Sequence, residues 1–96
     1  IENRELPVGV ATSTERRLAT QMLGRFDLLH RFRFVLTRDD VERGKPHPDI
    51  YHLAARRHDR PTAKTLVIED SLAGMQAGKS AGCVVVGLRH PLTAGA

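Results

Sequence analysis

Tryptophan is absent from the 96 residues, tyrosine and cysteine occur once each, and phenylalanine occurs three times. The lone Cys83 excludes an internal disulfide framework. It lies against an apolar run that reads as buried strand, so packing is expected of it rather than nucleophilic chemistry, and a reducing cytoplasm is the expected compartment. With so few aromatics, the fifteen Lys plus Arg have no stacking residues to interleave with. Arg4, Arg16, Arg17, Arg31, Arg33, Arg56 and Arg57 are scattered, so the formal charge of +4 reads as solvated surface, and no nucleic-acid partner is expected. No apolar run approaches the roughly 20 residues of a membrane helix, and no charged-then-apolar leader opens the chain. Neither membrane insertion nor export is expected. The length allows one domain at most, with a thin stability margin that leaves room for an incomplete one.

What is present alternates between short apolar runs and helical patterns. Residues 8–12 read as a strand, followed by the hydroxyls of Thr12, Ser13 and Thr14 and then Leu18, Ala19, Met22 and Leu23 at helical spacing. Ser13 or Thr14 is the expected cap of that helix, and Gly24 is expected to close it near its C-terminus. Residues 34–36 read as a second strand and 37–47 as a polar loop broken by Gly44 and Pro46. Pro48 suits the first turn of a helix that carries Ile50, Leu53 and Ala54 on one face, with Tyr51 and Arg56, Arg57 and His58 nearer solvent. Residues 65–68 read as a third strand, 71–81 as a helix ended by Gly82, and 83–86 as a fourth strand. The order βαβαβαβ calls for parallel pairing with right-handed crossovers, an α/β open sheet with helices on its faces. Residues 1–90 are the expected domain and 91–96 a loose tail.

In such a sheet ligands bind at the carboxyl ends of the strands. The chemistry-bearing residues fall there. Hydroxyls and free amides at Thr12, Ser13 and Thr14 could wrap a phosphate or simply cap a helix. Lys45, set in Gly-Lys-Pro-His-Pro-Asp with two prolines limiting the backbone, offers a fixed positive charge to a phosphoryl group. Glu69 and Asp70 leave a buried strand together. Adjacent carboxylates there suit a hard divalent cation such as magnesium, though Asp70 or Ser71 could equally cap the next helix while Glu69 faces solvent. His30, His52, His58 and His90 lack metal-ligand spacing, and His47 reads as a surface turn near Lys45.

Three segments in order, Val10-Ala11-Thr12-Ser13-Thr14, Gly44-Lys45-Pro46-His47-Pro48-Asp49-Ile50-Tyr51 and Val67-Ile68-Glu69-Asp70-Ser71-Leu72-Ala73-Gly74, resemble the haloacid dehalogenase-like superfamily, in its beta-phosphoglucomutase-like and phosphoglycolate-phosphatase-like branch. The resemblance spans nearly the whole chain. It implies a three-layer Rossmann-like core and a magnesium-dependent phosphatase or sugar phosphomutase acting on a small phosphorylated metabolite through an aspartyl-phosphate. Thr12 and Ser13 would then contact the phosphoryl group, and Lys45 would neutralise nucleophile and phosphate, with Lys45-Pro46 a candidate cis bond. Asp70, with Glu69 beside it, would be the magnesium site.

The family's attacking Asp-x-Asp pair does not occur in these residues, Asp39 and Asp40 lying where the family has loop, and Arg38 stands where a glycine is usual. The resemblance therefore implies a C-terminal core portion without the nucleophile strand or the helical cap, inactive by itself. The strands at 8–12 and 65–68 should either pair directly or flank an unfilled slot, and residues 1–6 should end the helix leading into the first strand. Two other readings are a receiver-like phosphate-sensing module, in which the acidic pair would precede the lysine rather than follow it, and a basic nucleic-acid-binding module.

Overall fold

The structure, a computed structural model, describes residues 6–88. The helical end expected at 1–6, the tail at 91–96 and His90 lie outside the described residues, apart from Leu6. The order is β1 (Val10–Ala11), α1 (Arg16–Arg25), β2 (Val35–Leu36), α2 (Asp49–His58), β3 (Leu66–Glu69), α3 (Leu72–Ala81) and β4 (Val84–Gly87). This is the parallel α/β alternation that the apolar runs call for. The strands do not join into one sheet. β1 pairs with β2, Val10 opposite Val35 and Ala11 opposite Leu36, and β3 pairs separately with β4, Leu66 opposite Val84 through Glu69 opposite Gly87. Of the two outcomes expected for β1 and β3, direct pairing is therefore not the one found.

Backbone direction shows which side of β1 is unpaired. The amides of Val10 and Thr12 donate to Phe34 and Leu36 on β2, at 3.0 and 2.9 Å. Successive backbone groups of a strand point to opposite sides, so the carbonyl of Ala11 faces away from β2.

The core forms where helices cover strands. Leu36, Ile50, Tyr51, Ala54, Val67, Ala77 and Ala81 make one buried cluster, with Ala11, Phe34, Val41, Leu53, Cys83 and Val85 packed against it. Helix α2 packs on β1 and on α3, and α3 packs on β3 and β4. Gly78 lets α3 come close to the sheet, since a Cβ there would stand 2.7 Å from Val85. The opposite face of the second pair is bare: Leu66 and Ile68 are 58% and 63% exposed, and Val84 and Val86 are also exposed. Helices on both faces were expected of these strands; the described residues supply one layer.

Several local expectations need correction. No Ser or Thr side chain caps α1. Glu15 is its N-cap and makes no side-chain cap bond, while Thr12 Oγ1 accepts from the Thr14 amide at 3.1 Å. Gly24 does not end the helix, which runs to Arg25 and turns out through Asp27 at φ 58°. An aspartate serves because its short polar side chain tolerates the left-handed region. Pro48 is the N-cap of α2 rather than its first helical residue. Tyr51 is not near solvent but 5% exposed. At α3 the expectations hold: Ser71 Oγ accepts from the Gly74 amide at 3.0 Å, and Gly82 closes the helix at φ 89°.

Candidate active site

The loop from β2 to α2 is tied down at both ends. Thr37, fully buried, caps a short turn at Arg38–Asp40 in a capping box: its amide donates to Asp40 Oδ2 at 2.7 Å, and its hydroxyl accepts from the Asp39 amide at 3.3 Å. Arg16 of α1 forms an ion pair with the same Asp40 carboxylate. Arg38 folds over the loop, donating to the carbonyls of Val41 and Glu42 at 2.8 and 3.1 Å, and lies against Gly44, where a side chain would meet its guanidinium. Arg43 holds Asp49 at the start of α2 with two bonds, 2.8 and 3.3 Å. Between these anchors the Lys45-Pro46 bond is cis, as the resemblance suggested.

Thus fixed, Lys45 turns inward between the two strand pairs. Its Nζ donates to the Ala11 carbonyl on β1 at 3.1 Å and to Glu69 Oε2 at the end of β3 at 2.8 Å. The Lys45 and Glu69 side chains are only 7% and 12% exposed. Tyr51, in the first turn of α2, presents its ring 5.2 Å from the Lys45 ammonium and donates its hydroxyl to the same Glu69 Oε2 at 3.0 Å. The other Glu69 oxygen lies at the start of α3, accepting from the amides of Asp70 and Ser71 and from the Ser71 hydroxyl at 3.0 to 3.2 Å. Helix N-terminal amides favour a carboxylate in that place.

These donors set the protonation of the group. Burial alone would raise the Glu69 pKa, but the hydrogen bond and charge of Lys45, helped by Tyr51 and the Ser71 amide, bring it down to about 2. The same contacts act oppositely on the phenol, where burial, followed by the negative charge of Glu69, pushes Tyr51 well above its ordinary value. At neutral pH the site holds a carboxylate and a neutral phenol.

The structure thus brings Lys45 to Ala11, the residue before Thr12, and to Glu69, the residue before Asp70. Thr12 is half-buried, and Ser13 and Asp70 are exposed. Both oxygens of Glu69 are met by protein donors, and the exposed Asp70 follows it at the carboxyl end of β3. One such carboxylate fits magnesium, which binds through one or two carboxylates and keeps several waters. Among the described residues no group of three or more His, Cys, Asp and Glu gathers to hold a metal ion. Tyr51 is the site residue that the sequence reading missed. Its signal was available, because Tyr51 with Ala54 and Ala55 continues the apolar arc of α2 at spacings of three and four.

Comparison with known proteins agrees with this fold. The chain is 38% identical over 96 residues to the phosphorylated carbohydrates phosphatase of Thermotoga maritima, covering 99% of this chain and 44% of that protein. It is 34% identical to the phosphoglycolate phosphatase of Escherichia coli, covering 94% of this chain and 36% of that one. It therefore spans less than half the length of these relatives. Among solved structures, that of CbbY from Rhodobacter sphaeroides in complex with xylulose-(1,5)-bisphosphate matches with a TM-score of 0.89 at 30% identity, covering 99% of this chain and 44% of that one. A beta-phosphoglucomutase from Clostridium difficile matches with a TM-score of 0.81 at 25% identity, covering 93% and 39%. The sequence profile described as haloacid dehalogenase-like hydrolase matches residues 1–88, and the chain belongs to that family.

Proposed function

We propose that this chain supplies the phosphate-binding and magnesium-binding half of a phosphoryl-transfer enzyme, a phosphatase or sugar phosphomutase that works through an aspartyl-phosphate in the cytoplasm. The observation that carries the reading is the Lys45 ammonium, held between β1 and β3 by Ala11 and Glu69, the residues that precede Thr12 and Asp70 in the chain. A phosphoryl group between the strand ends would meet a positive charge that needs no rearrangement as the equatorial oxygens gain charge. Thr12 Oγ1 accepts from the Thr14 amide, so its own proton remains to donate outward, and the exposed Ser13 offers its backbone amide. Asp70 would hold magnesium, with Glu69 anchoring the turn beside it; the ion supplies positive charge shared with phosphate oxygens. The attacking carboxylate would come from sequence outside these 96 residues, since no Asp-x-Asp lies within them. The substrate class, a small phosphorylated metabolite, is supported by relatives described as acting on phosphorylated carbohydrates and phosphoglycolate.

The purified chain, given p-nitrophenyl phosphate and magnesium, should show no hydrolysis above background. If it turned over, and Asp70→Ala abolished the activity, the assignment of the nucleophile to sequence outside these residues would fail.

A further inference from the structure

Lys45 could reach Glu69 in many side-chain conformations, since lysine has a long and flexible stem. What limits the choice is the far side of Glu69. Its Oε1 is fixed by the start of α3, and its Oε2 is met from two directions, by Lys45 Nζ at 2.8 Å and by the Tyr51 hydroxyl at 3.0 Å. The same tyrosine places its ring 5.2 Å from the ammonium. Tyr51 is itself immobilised in the core cluster, next to Ile50 and Ala54 on α2.

The geometry points to Tyr51 as a positioning residue: its hydroxyl aims Glu69 Oε2 at Lys45, and its ring confines the ammonium, so that α2 sets where the charge stands between β1 and β3. This rests on the reading of Lys45 as the phosphate-facing cation. Tyr51 acts through Glu69 and Lys45. A phenylalanine would fill the same core space and keep the ring beside the ammonium, but it would lack the donor.

The test is the hydrogen exchange of the Lys45 ammonium in the 96-residue chain, followed by nitrogen-15 NMR at low temperature. Only Lys64 and Lys79 accompany it as lysines, and both are exposed, so they serve as internal references. In the unaltered chain Lys45 should exchange more slowly than either. In Tyr51→Phe, with the helical circular dichroism retained, its exchange should speed up about tenfold while Lys64 and Lys79 stay unchanged. Unchanged exchange at Lys45 in the folded variant would reduce Tyr51 to core filling and overturn the proposal.

If Tyr51→Phe fails to fold, the unaltered chain decides. Tyr51 is the only tyrosine and tryptophan is absent, so all emission of that type reports on it. A phenol bonded to a carboxylate is quenched, and emission should rise on unfolding in urea; equal emission in both states would overturn the proposal. Neither readout uses phosphate or a metal ion. A chain that bound no phosphate would count against the proposed function and leave these results to be judged separately.

Discussion

Lys45→Met is expected to lower the unfolding free energy by about 3 kcal/mol, near the lower end for breaking a buried ion pair by removing one partner. The stem of methionine fills much of the same space, so little of the loss would be a cavity. It would come from Glu69, left as a buried carboxylate with one of its two Oε2 donors gone. For a chain of this size that is a large fraction of the total, because small domains are stable by only 5 to 15 kcal/mol or so. The double variant Lys45→Met with Glu69→Gln should lose less than Lys45→Met alone, since the orphaned charge is removed with its partner. Urea denaturation of the two single variants and the double gives the cycle. Additive losses would mean that the pair contributes no coupling.

Gly74→Ala should destabilise by a similar amount, about 3 kcal/mol, against the ordinary rule for helices. In an exposed helix interior the change from glycine to alanine gains about 1 kcal/mol, because glycine has more backbone freedom to lose. At Gly74 the added Cβ would fall on the Glu69 carboxylate, on Oε2 and its adjoining carbons. The carboxylate would have to leave the start of α3, giving up Lys45 and Tyr51 in the process. The sign is the sharp part. In a Glu69→Ala background the obstruction is gone, and Gly74→Ala should revert to stabilising by up to about 1 kcal/mol. Thermal unfolding of the four chains would show it; the same effect in both backgrounds would contradict the packing described.

The cluster around Lys45 was legible because its residues sit where strand runs stop. Leu66, Val67 and Ile68 form an unbroken apolar run, so the carboxylates that follow had to emerge at its end, and Pro46 and Pro48 within the Gly44 to Pro48 turn announced a constrained loop. Lys45 needed no tertiary information to be singled out. The role of Glu69 did: nothing in the sequence tells that its two oxygens divide between the start of α3 and the Lys45 and Tyr51 pair. The sequence pattern groups Tyr51 with the arginines of α2, because an arc defined by Ile50, Leu53 and Ala54 stops short of it. The buried arc is wider, running through Ile50, Tyr51, Ala54 and Ala55, since α2 is covered by both β1 and α3.

The strand pattern also overstated the cover. An apolar run such as Leu66 to Ile68 implies burial on both faces in a parallel sheet. Here α3 covers the Val67 side, and Leu66 and Ile68 stand open. Likewise no local signal separates the β1 and β2 pair from the β3 and β4 pair, because pairing depends on what lies between them. Helix α1 defeated the capping rule for a different reason: Thr12 spends its oxygen on Thr14 before the helix starts, and Glu15 takes the cap position without bonding.

The central claim is that phosphate and magnesium belong at the ends of β1 and β3, around Lys45. Titrating inorganic phosphate and magnesium into the nitrogen-15-labelled chain tests it most directly. Shifts concentrated at Thr12, Ser13, the Lys45 ammonium and Asp70, and lost in Lys45→Met variants that remain folded, are the predicted result. Shifts confined to the arginines of α1 and α2, or none at those four positions, would contradict it.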